Sequence, residues 1–518
     1  LNVVGEVHIT RKQYLDGSIP TGFQRTAIIG VEGEIYLKHK KVRLIQLSIE
    51  EDSCREISDI GHTRIYKTDR LGMPLIETVT YPDMLNPEEV REACDYIRFL
   101  NRSTGKVRTG MGAGRQDVNV SCKGGTRVEI KGVAHTKWIP ELTHNEAFRQ
   151  FALLNAKNKL LKIIINPKDW KISTKFIEFS AIKSKDKFIK EAKVKGYKIF
   201  VANLPGFKGI LSHFTQPGKI FADELSDRLK VIACIEKPNM FHSEELNPNI
   251  NDKVWTTLRK SLNAKDEDAQ IIVWGPEADM KTAIDTIEER CIMAMEGIPR
   301  ETRKSFIDGT TIFERVLPGA DRMYPDTDSK PIPLEDELID NLSKNLPTEI
   351  IDRYNLLKKW GVPEDTYNYI FKRNLFPLLE KIVNDFSLSP VFVGTYLGHR
   401  FKFVEGHYKS TKDFNYNKIY ECFKFLKQNN LDFELVKFIM PVIYQYPLMD
   451  FDSVLTSINF KKIPKEEILS KIPFLKNKYK EVCLSKNGNN EPHWIMGQLR
   501  KTAVGNLNLK DLANTILS

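Results

Sequence analysis

The segment LSIEEDSCRE sets three carboxylates in a row, Glu50, Glu51 and Asp52, at the end of a run that Leu47 and Ile49 mark as a strand. Hard oxygen ligands at a strand end suit Mg2+, which takes one or two carboxylates and leaves other positions to phosphate. Neighbouring strand residues face opposite ways, so one of the two glutamates serves such an ion. The competing reading is an exposed acidic turn, since charge runs are usually solvated. Upstream, TRKQYLDGSIPTGFQRT places Arg11, Lys12 and Arg25 about the turn residues Asp16, Gly17 and Gly22. Guanidinium forks and an ammonium on turns suit phosphate or carboxylate, and they suit ordinary loops as well. Glu77 stands in the apolar run LGMPLIETVTYPD, where an ionised carboxylate needs a partner. A salt bridge to an arginine meets that need equally well.

A second group follows the glycine-spaced loop GKVRTGMGAGRQDVNVS. Phosphate loops of the dinucleotide and Walker types need a helix after the glycines. Here the residues alternate instead: Val118 and Val120 face one way, Asp117, Asn119 and Ser121 the other, so a strand follows. The continuation CKGGTRVEIKG gives a turn at Gly124 and Gly125, then a second strand with Arg127, Glu129 and Lys131 on one face. The pair is a hairpin whose polar face gathers Asp117, Asn119, Glu129 and Lys131. That patch suits a metal-phosphate group or plain cross-strand pairing. His8 reads as a lone structural histidine, and no Ser/His/Asp or Cys/His arrangement stands out.

The elements that must hold these groups come from a chain of 518 residues, too long for one core when a domain takes roughly 100 to 200 residues. With 41% apolar and 28% charged residues it reads as a globular cytoplasmic protein without a membrane span. Its 78 basic and 68 acidic side chains give +10, a balance that favours a polyanionic partner. Seven cysteines without a close pair argue against a disulfide framework and a thiolate zinc site. The first 140 residues predict antiparallel sheet, with a helix after Asn86-Pro87 and another over 141–161. QIIVWGPEADMKTAIDTIEERCIMAM reads as strand, turn and helix inside an α/β insertion, after which loop and strand return. From Glu335 onward the pattern is short helices, with Leu338, Leu342 and Leu346 on one face.

ITRKQYLDGSIPTGFQRT, LSIEEDSCRE, DRLGMPLIETVTYPDM, RSTGKVRTGMGAGRQDVNVS, RVEIKGV and PGADRMYPDTD stand in the order and spacing of the B/E family of tRNA-dependent amidotransferase subunits. The chain resembles that family over nearly its whole length. GFQRT and RSTGKVR are similar to the archaeal E-type members, and LPGFKGILSHFTQPGKIFADEL resembles the domain that E-type members share with bacterial-type aspartyl-tRNA synthetases. The resemblance implies an α+β multidomain fold. A mostly antiparallel cradle over 1–167 and 291–334 would be interrupted by a synthetase-like α/β insertion over 168–290. A helical domain over 335–410 and a tRNA-binding tail over 411–518 would follow.

It also implies ligase chemistry: ATP phosphorylates the γ-carboxylate of glutamate on Glu-tRNA(Gln), and ammonia from an asparaginase-like amidase partner displaces phosphate. The assembly implied is a heterotetramer of two amidase subunits and two of these. Carried over by position, the metal-binding glutamate falls on Glu51 beside Glu50, and the basic residue at the reacting centre on Lys12. Arg11, Arg25, Glu77, Arg115, Asp117, Asn119, Glu129 and Lys131 line the same cradle, and Arg500 and Lys501 in WIMGQLRKTAVGNLN meet tRNA phosphates. The family begins with a Gly-Leu-Glu-x-His strand that helps hold Mg2+. This sequence starts after that point, which is read as a missing N-terminal segment. A non-catalytic tRNA-binding or assembly protein is one alternative. The bacterial or organellar B-type member is another, and the insertion argues against it.

Overall fold

In the computed structural model, which describes residues 1–110, 112–182, 184, 186–317, 319, 322–482 and 490–518, polar and apolar residues alternate along the first strands and so build two-faced sheets. Strands β1 (Ile9–Gln13), β2 (Phe23–Tyr36), β3 (Lys41–Glu51) and β4 (Pro74–Thr80) pair antiparallel in sequence order. Helix α1 (Pro87–Ser103) starts where Asn86 Oδ1 accepts the Glu89 amide at 3.0 Å, with Pro87 in the first turn. Next come β5 (Gln116–Val120) and β6 (Val128–Val133), paired Glu129 to Asn119 and Ile130 to Val118. Val118, Val120, Ile130 and Val133 bury against Ile139 and Leu142 of α2 (Ile139–Ile163). That packing turns Asp117, Asn119, Glu129 and Lys131 to the other face.

The middle of the chain gives β7 (Ser173–Phe176), β8 (Lys198–Leu204), α3 (Phe221–Val231), β9 (Met240–His242), β10 (Ala269–Gly275) and α4 (Met280–Glu296). The sheet runs β7-β8-β10-β9. Helices alternate with strands as an α/β reading expects, yet every pairing in this sheet is antiparallel. All of β10 is buried because the sheet is covered on both faces. Phe200, Ala202, Ile271 and Val273 meet Leu229, Ile287 and Cys291 on one side. Ile199, Val201, Ile272 and Trp274 meet Trp255 and Leu258 on the other. Helix α4 runs through position 290, and Ile287, Cys291, Ala294 and Met295 share that first core.

Beyond the insertion, β11 (Glu301–Ser305) joins β6 in parallel, Glu129 opposite Thr302 and Lys131 opposite Lys304, and β12 (Thr311–Val316) flanks it. β13 (Met323–Pro325) returns to the first sheet, with Tyr324 opposite Arg11. Residues on both sides of the insertion therefore share both sheets.

Between these layers lies a dry ion network of Arg149, Arg228, Arg290 and Arg303 with Glu146, Glu224 and Glu301, every side chain at most 3% exposed. Arg149 donates to Glu224 at 2.7 and 2.8 Å, to Glu301 at 2.6 Å and to Glu146 at 3.1 Å. The network joins α2, α3, α4 and β11, so it ties the insertion to the strand beside the hairpin.

The chain divides into two compact units, residues 1–97 with 108–345, and 98–107 with 346–518. At the end of the first, α5 (Asp336–Ser343) carries Leu338 and Leu342, both exposed. Leu346 lies past its last turn, so the three leucines do not share a helix face. In the second unit Ile370, Leu379, Ile382, Leu397, Phe401 and Phe423 are wholly buried. Its last bundle closes over Ile468, Ile495, Leu499, Leu512 and Ile516. The described cysteines are all free, and Cys483 lies outside the described residues. Among those residues no helix is long and apolar enough to cross a membrane.

Candidate active site

Strand alternation sorts the charged residues of the first sheet onto two faces. Lys12 on β1 stands opposite Gln24 on β2, Thr26 opposite Glu50 on β3, and Ser48 opposite Glu77 on β4. These side chains share one face. Lys12 Nζ donates to Glu50 Oε1 at 2.9 Å, Thr26 Oγ1 to the same oxygen at 3.2 Å, and Ser48 Oγ to Glu77 at 3.4 Å. Glu50 is only 8% exposed, and buried Asp52 pairs with Arg70 at 2.6 Å. The acidic run is thus no solvated turn.

Arg11, Arg25 and Glu51 lie on the opposite face. Asp326, just past β13, accepts from Arg11 at 2.9 Å and Arg25 at 2.8 Å, and Asp328 pairs with Arg11 as well. Glu51 accepts from the Arg25 amide at 3.1 Å. The bond from Arg25 comes first among the effects that hold the Asp326 carboxyl down at about 2. Both guanidiniums lie over Phe23, at 4.8 and 5.4 Å from its centroid. The alternation that separates Glu50 from Glu51 was readable in the sequence. The role of Asp326 was not, although it stands in the quoted PDTD.

The polar face of the hairpin stands within electrostatic reach of the Lys12 face, Asp117 acting on Glu77 and Lys131 on Tyr14. Lys131 Nζ lies 3.3 Å from both Asp117 and Glu129. A bulge after Ile130 puts Gly132 at φ +63°, and its amide donates to Asp117 Oδ1 at 2.8 Å, fixing that carboxylate. Burial opposes the charge on Lys12, but Glu50, Tyr14 and Glu77 outweigh it and its pKa rises. Burial likewise opposes Lys131, and Asp117 and Glu129 raise it. Burial first, then Glu50, pushes the Glu77 carboxyl up, with Asp117 adding to the effect. Arg115, just before β5, and Asn119 on it are both exposed. Tyr14, Gln24 and Thr26 were not singled out from sequence. The alternation of Gln24 and Thr26 within GFQRT was the available signal for two of them.

Among the described residues no three His, Cys, Asp or Glu side chains gather closely enough to hold a metal by themselves. Glu50 and Glu77, two carboxylates on one face whose mutual repulsion already shows in Glu77, fit an ion that takes its remaining ligands from phosphate. Glu51, held by the Arg25 amide, lies on the far face of the same strand.

Residues 1–340 match the model of the GatB/GatE catalytic domain. The chain belongs to the GatB/GatE family. It is similar to the E-type glutamyl-tRNA(Gln) amidotransferase polypeptide of Sulfolobus acidocaldarius, at 32% identity over 99% of this chain and 81% of that protein. The E-type counterpart of Methanocaldococcus jannaschii is 32% identical over 100% of the chain and 82% of its own length. That of Sulfurisphaera tokodaii is 34% identical over 85% and 70%. This GatB/GatE member is a ligase with a tRNA-dependent amidotransferase role. Its second unit carries Arg500 and Lys501 in the last turn of α6 (Glu491–Ala503), both exposed. Arg500 lines a pocket of about 540 Å³ with Arg400, Lys437, Phe403, Phe438 and Tyr396.

Proposed function

We propose that this chain converts Glu-tRNA(Gln) to Gln-tRNA(Gln) in the cytoplasm, on the sheet face that carries Lys12, Glu50 and Glu77. The observation that carries the reading is the convergence of that ammonium and those carboxylates with the Asp117–Lys131 hairpin. A carboxylate is a poor electrophile because it would have to expel oxide. An oxygen of the substrate γ-carboxylate attacks the terminal phosphorus of ATP, the bridging P–O bond breaks and ADP leaves. Ammonia then attacks the acyl carbon, phosphate departs with the C–O electron pair, and nitrogen gives up a proton.

The charged Lys12 ammonium faces the negative charge that spreads over the transferring phosphoryl oxygens. Glu50 holds Lys12 in place, while Lys131, steadied by Asp117 and Glu129, supplies a second cation from the hairpin. Glu50 and Glu77 would hold Mg2+, whose chemistry there is to offset the charge of phosphate. Glu51 belongs to the reading as a metal residue carried over from the family, and its place on the far face makes it the weaker contributor. Arg11, Arg25, Arg115 and Asn119 would meet substrate from the cradle rim. Arg500 and Lys501 would meet tRNA phosphates. Ammonia would come from an asparaginase-like amidase in a two-plus-two heterotetramer.

The test is ADP release from ATP on adding Glu-tRNA(Gln), measured with the amidase partner and with glutamine or asparagine as donor. Release that depends on Glu-tRNA(Gln) and fails in Glu50→Gln is expected. Release independent of the charged tRNA, or none at all, sinks the reading.

A further inference from the structure

Tyr14 follows β1 directly, and its ring lies against two guanidinium groups. Arg315 is 5.3 Å and Arg322 5.0 Å from the ring centroid. The phenol oxygen donates to Gln24 Oε1 at 3.3 Å, and Gln24 Nε2 in turn donates to the Glu51 carbonyl at 2.6 Å, which ties the stack to the strand bearing Glu50. Arg315 Nη1 is held by Asp16 at 3.1 Å and Ser18 at 2.7 Å. Arg315 Nε and Arg322 Nη1 are buried, and neither meets an acceptor among the described residues. Arg322 forms no ion pair there either.

A buried guanidinium N–H without an acceptor is costly, and an oxyanion from outside the chain would remove that cost at both arginines. Stacking occupies the face of a guanidinium and leaves its N–H edge for an in-plane acceptor. Lys131 stands within electrostatic reach of both Arg315 and Tyr14. Lys12 and Lys131 are each paired with carboxylates, whereas Arg315 and Arg322 meet the one carboxylate of Asp16 among the described residues, so the unneutralised positive charge lies at the guanidinium end. Two guanidiniums on one ring, with the Lys131 ammonium in electrostatic reach of Arg315, suit a phosphoryl group, whose several oxygens accept several donors.

We propose that Arg315 and Arg322, stacked on Tyr14, form an oxyanion clamp that binds a phosphate of the nucleotide. The inference rests on the nucleotide-dependent reading above and adds the residues that hold the phosphate end. The clamp binds and orients. It takes no proton and forms no bond.

The test uses the chain assembled with its amidase partner and measures the affinities of ATP, ADP, adenosine and tRNA. The variants are Arg322→Lys and Arg322→Gln, with Arg315→Lys as a second site. Arg322→Lys keeps charge and loses the fork. We expect it to weaken ATP and ADP about tenfold, the effect of one charged hydrogen bond, with adenosine and tRNA unchanged. Arg322→Gln should weaken nucleotide further, and all variants should melt as the parent does. Unchanged nucleotide affinity in variants that melt normally overturns the clamp. So does a loss confined to tRNA, which would assign the oxyanion to the RNA backbone. A parent protein that binds no nucleotide overturns the functional reading itself, which separates that failure from failure of the clamp.

Discussion

Replacing Arg149 by Met should cost the first unit about 3 to 5 kcal/mol, the usual penalty for breaking a buried ion pair from one side. Arg149 is 0% exposed and bonds Glu146, Glu224 and Glu301 at 2.6 to 3.1 Å. Methionine fills most of the volume and supplies no donor, so the deficit comes from unmet carboxylates rather than from a cavity. At about 2.1 cal/mol/K per residue over roughly 335 residues, unfolding entropy is near 0.7 kcal/mol/K, which gives a fall in Tm of about 4 to 7 °C. The sign with pH follows from the same groups. Burial raises the Glu146 carboxyl and Arg149 pulls it down, so the variant leaves it higher still. An acid whose folded pKa lies above its unfolded value loses stability as pH rises, so the deficit should be smaller at pH 5 than at pH 7. Scanning calorimetry at the two values reads this, and hydrogen exchange in α2 and β11 reports which elements loosen. Adding Glu224→Gln should cost less than the sum of the two single changes. A fall in Tm under about 1 °C, or a deficit that ignores pH while the pair adds simply, would refute the reasoning.

On the face proposed to be catalytic, Glu50→Gln should lower kcat by about a hundredfold or more, the scale of a lost charged catalytic contact, while tRNA affinity holds. Glu51→Gln should cost clearly less in single-turnover assays, and equal losses would show that the face assignment is wrong. Asp326→Asn removes a carboxylate that its arginine partners hold at about 2. The stability it contributes is present above its unfolded value near 4 and fades as pH falls toward 2, so parent and variant melting curves should converge on acidification. A gap constant from pH 6 to 2 would exclude that linkage. If Arg500 and Lys501 each meet a tRNA phosphate, changing either to Ala should reduce the slope of log affinity against log salt by about 0.7 to 0.9. An unchanged slope would remove that residue from the interface.

What could be read from sequence and what could not divide along a physical line. Alternation at Val118 and Val120, and the caps at Asn86-Pro87, act over a few residues, so the hairpin and α1 were legible before any fold was known. The separation of Glu50 from Glu51 follows from the same period of two. Pairings across hundreds of residues leave no local trace. Arg11 and Arg25 meet Asp326, and Arg315 reaches Asp16, only because β13 and β12 return to sheets begun before the insertion. The dry network is hidden for a related reason. Arg149, Glu224 and Glu301 each read as ordinary surface charges on their own elements, and only the packing of α2, α3 and β11 removes their water. β11 then carries the consequence to the site. Its Glu301 and Arg303 are locked in the network, while Thr302 and Lys304 between and beyond them pair with Glu129 and Lys131. A strand pinned on one face holds its register on the other, because a slip of one residue would expose the network and bury the hairpin charges. The buried charges therefore do for the hairpin what the Gly132 bulge does for Asp117: they fix where cations and carboxylates stand before substrate arrives.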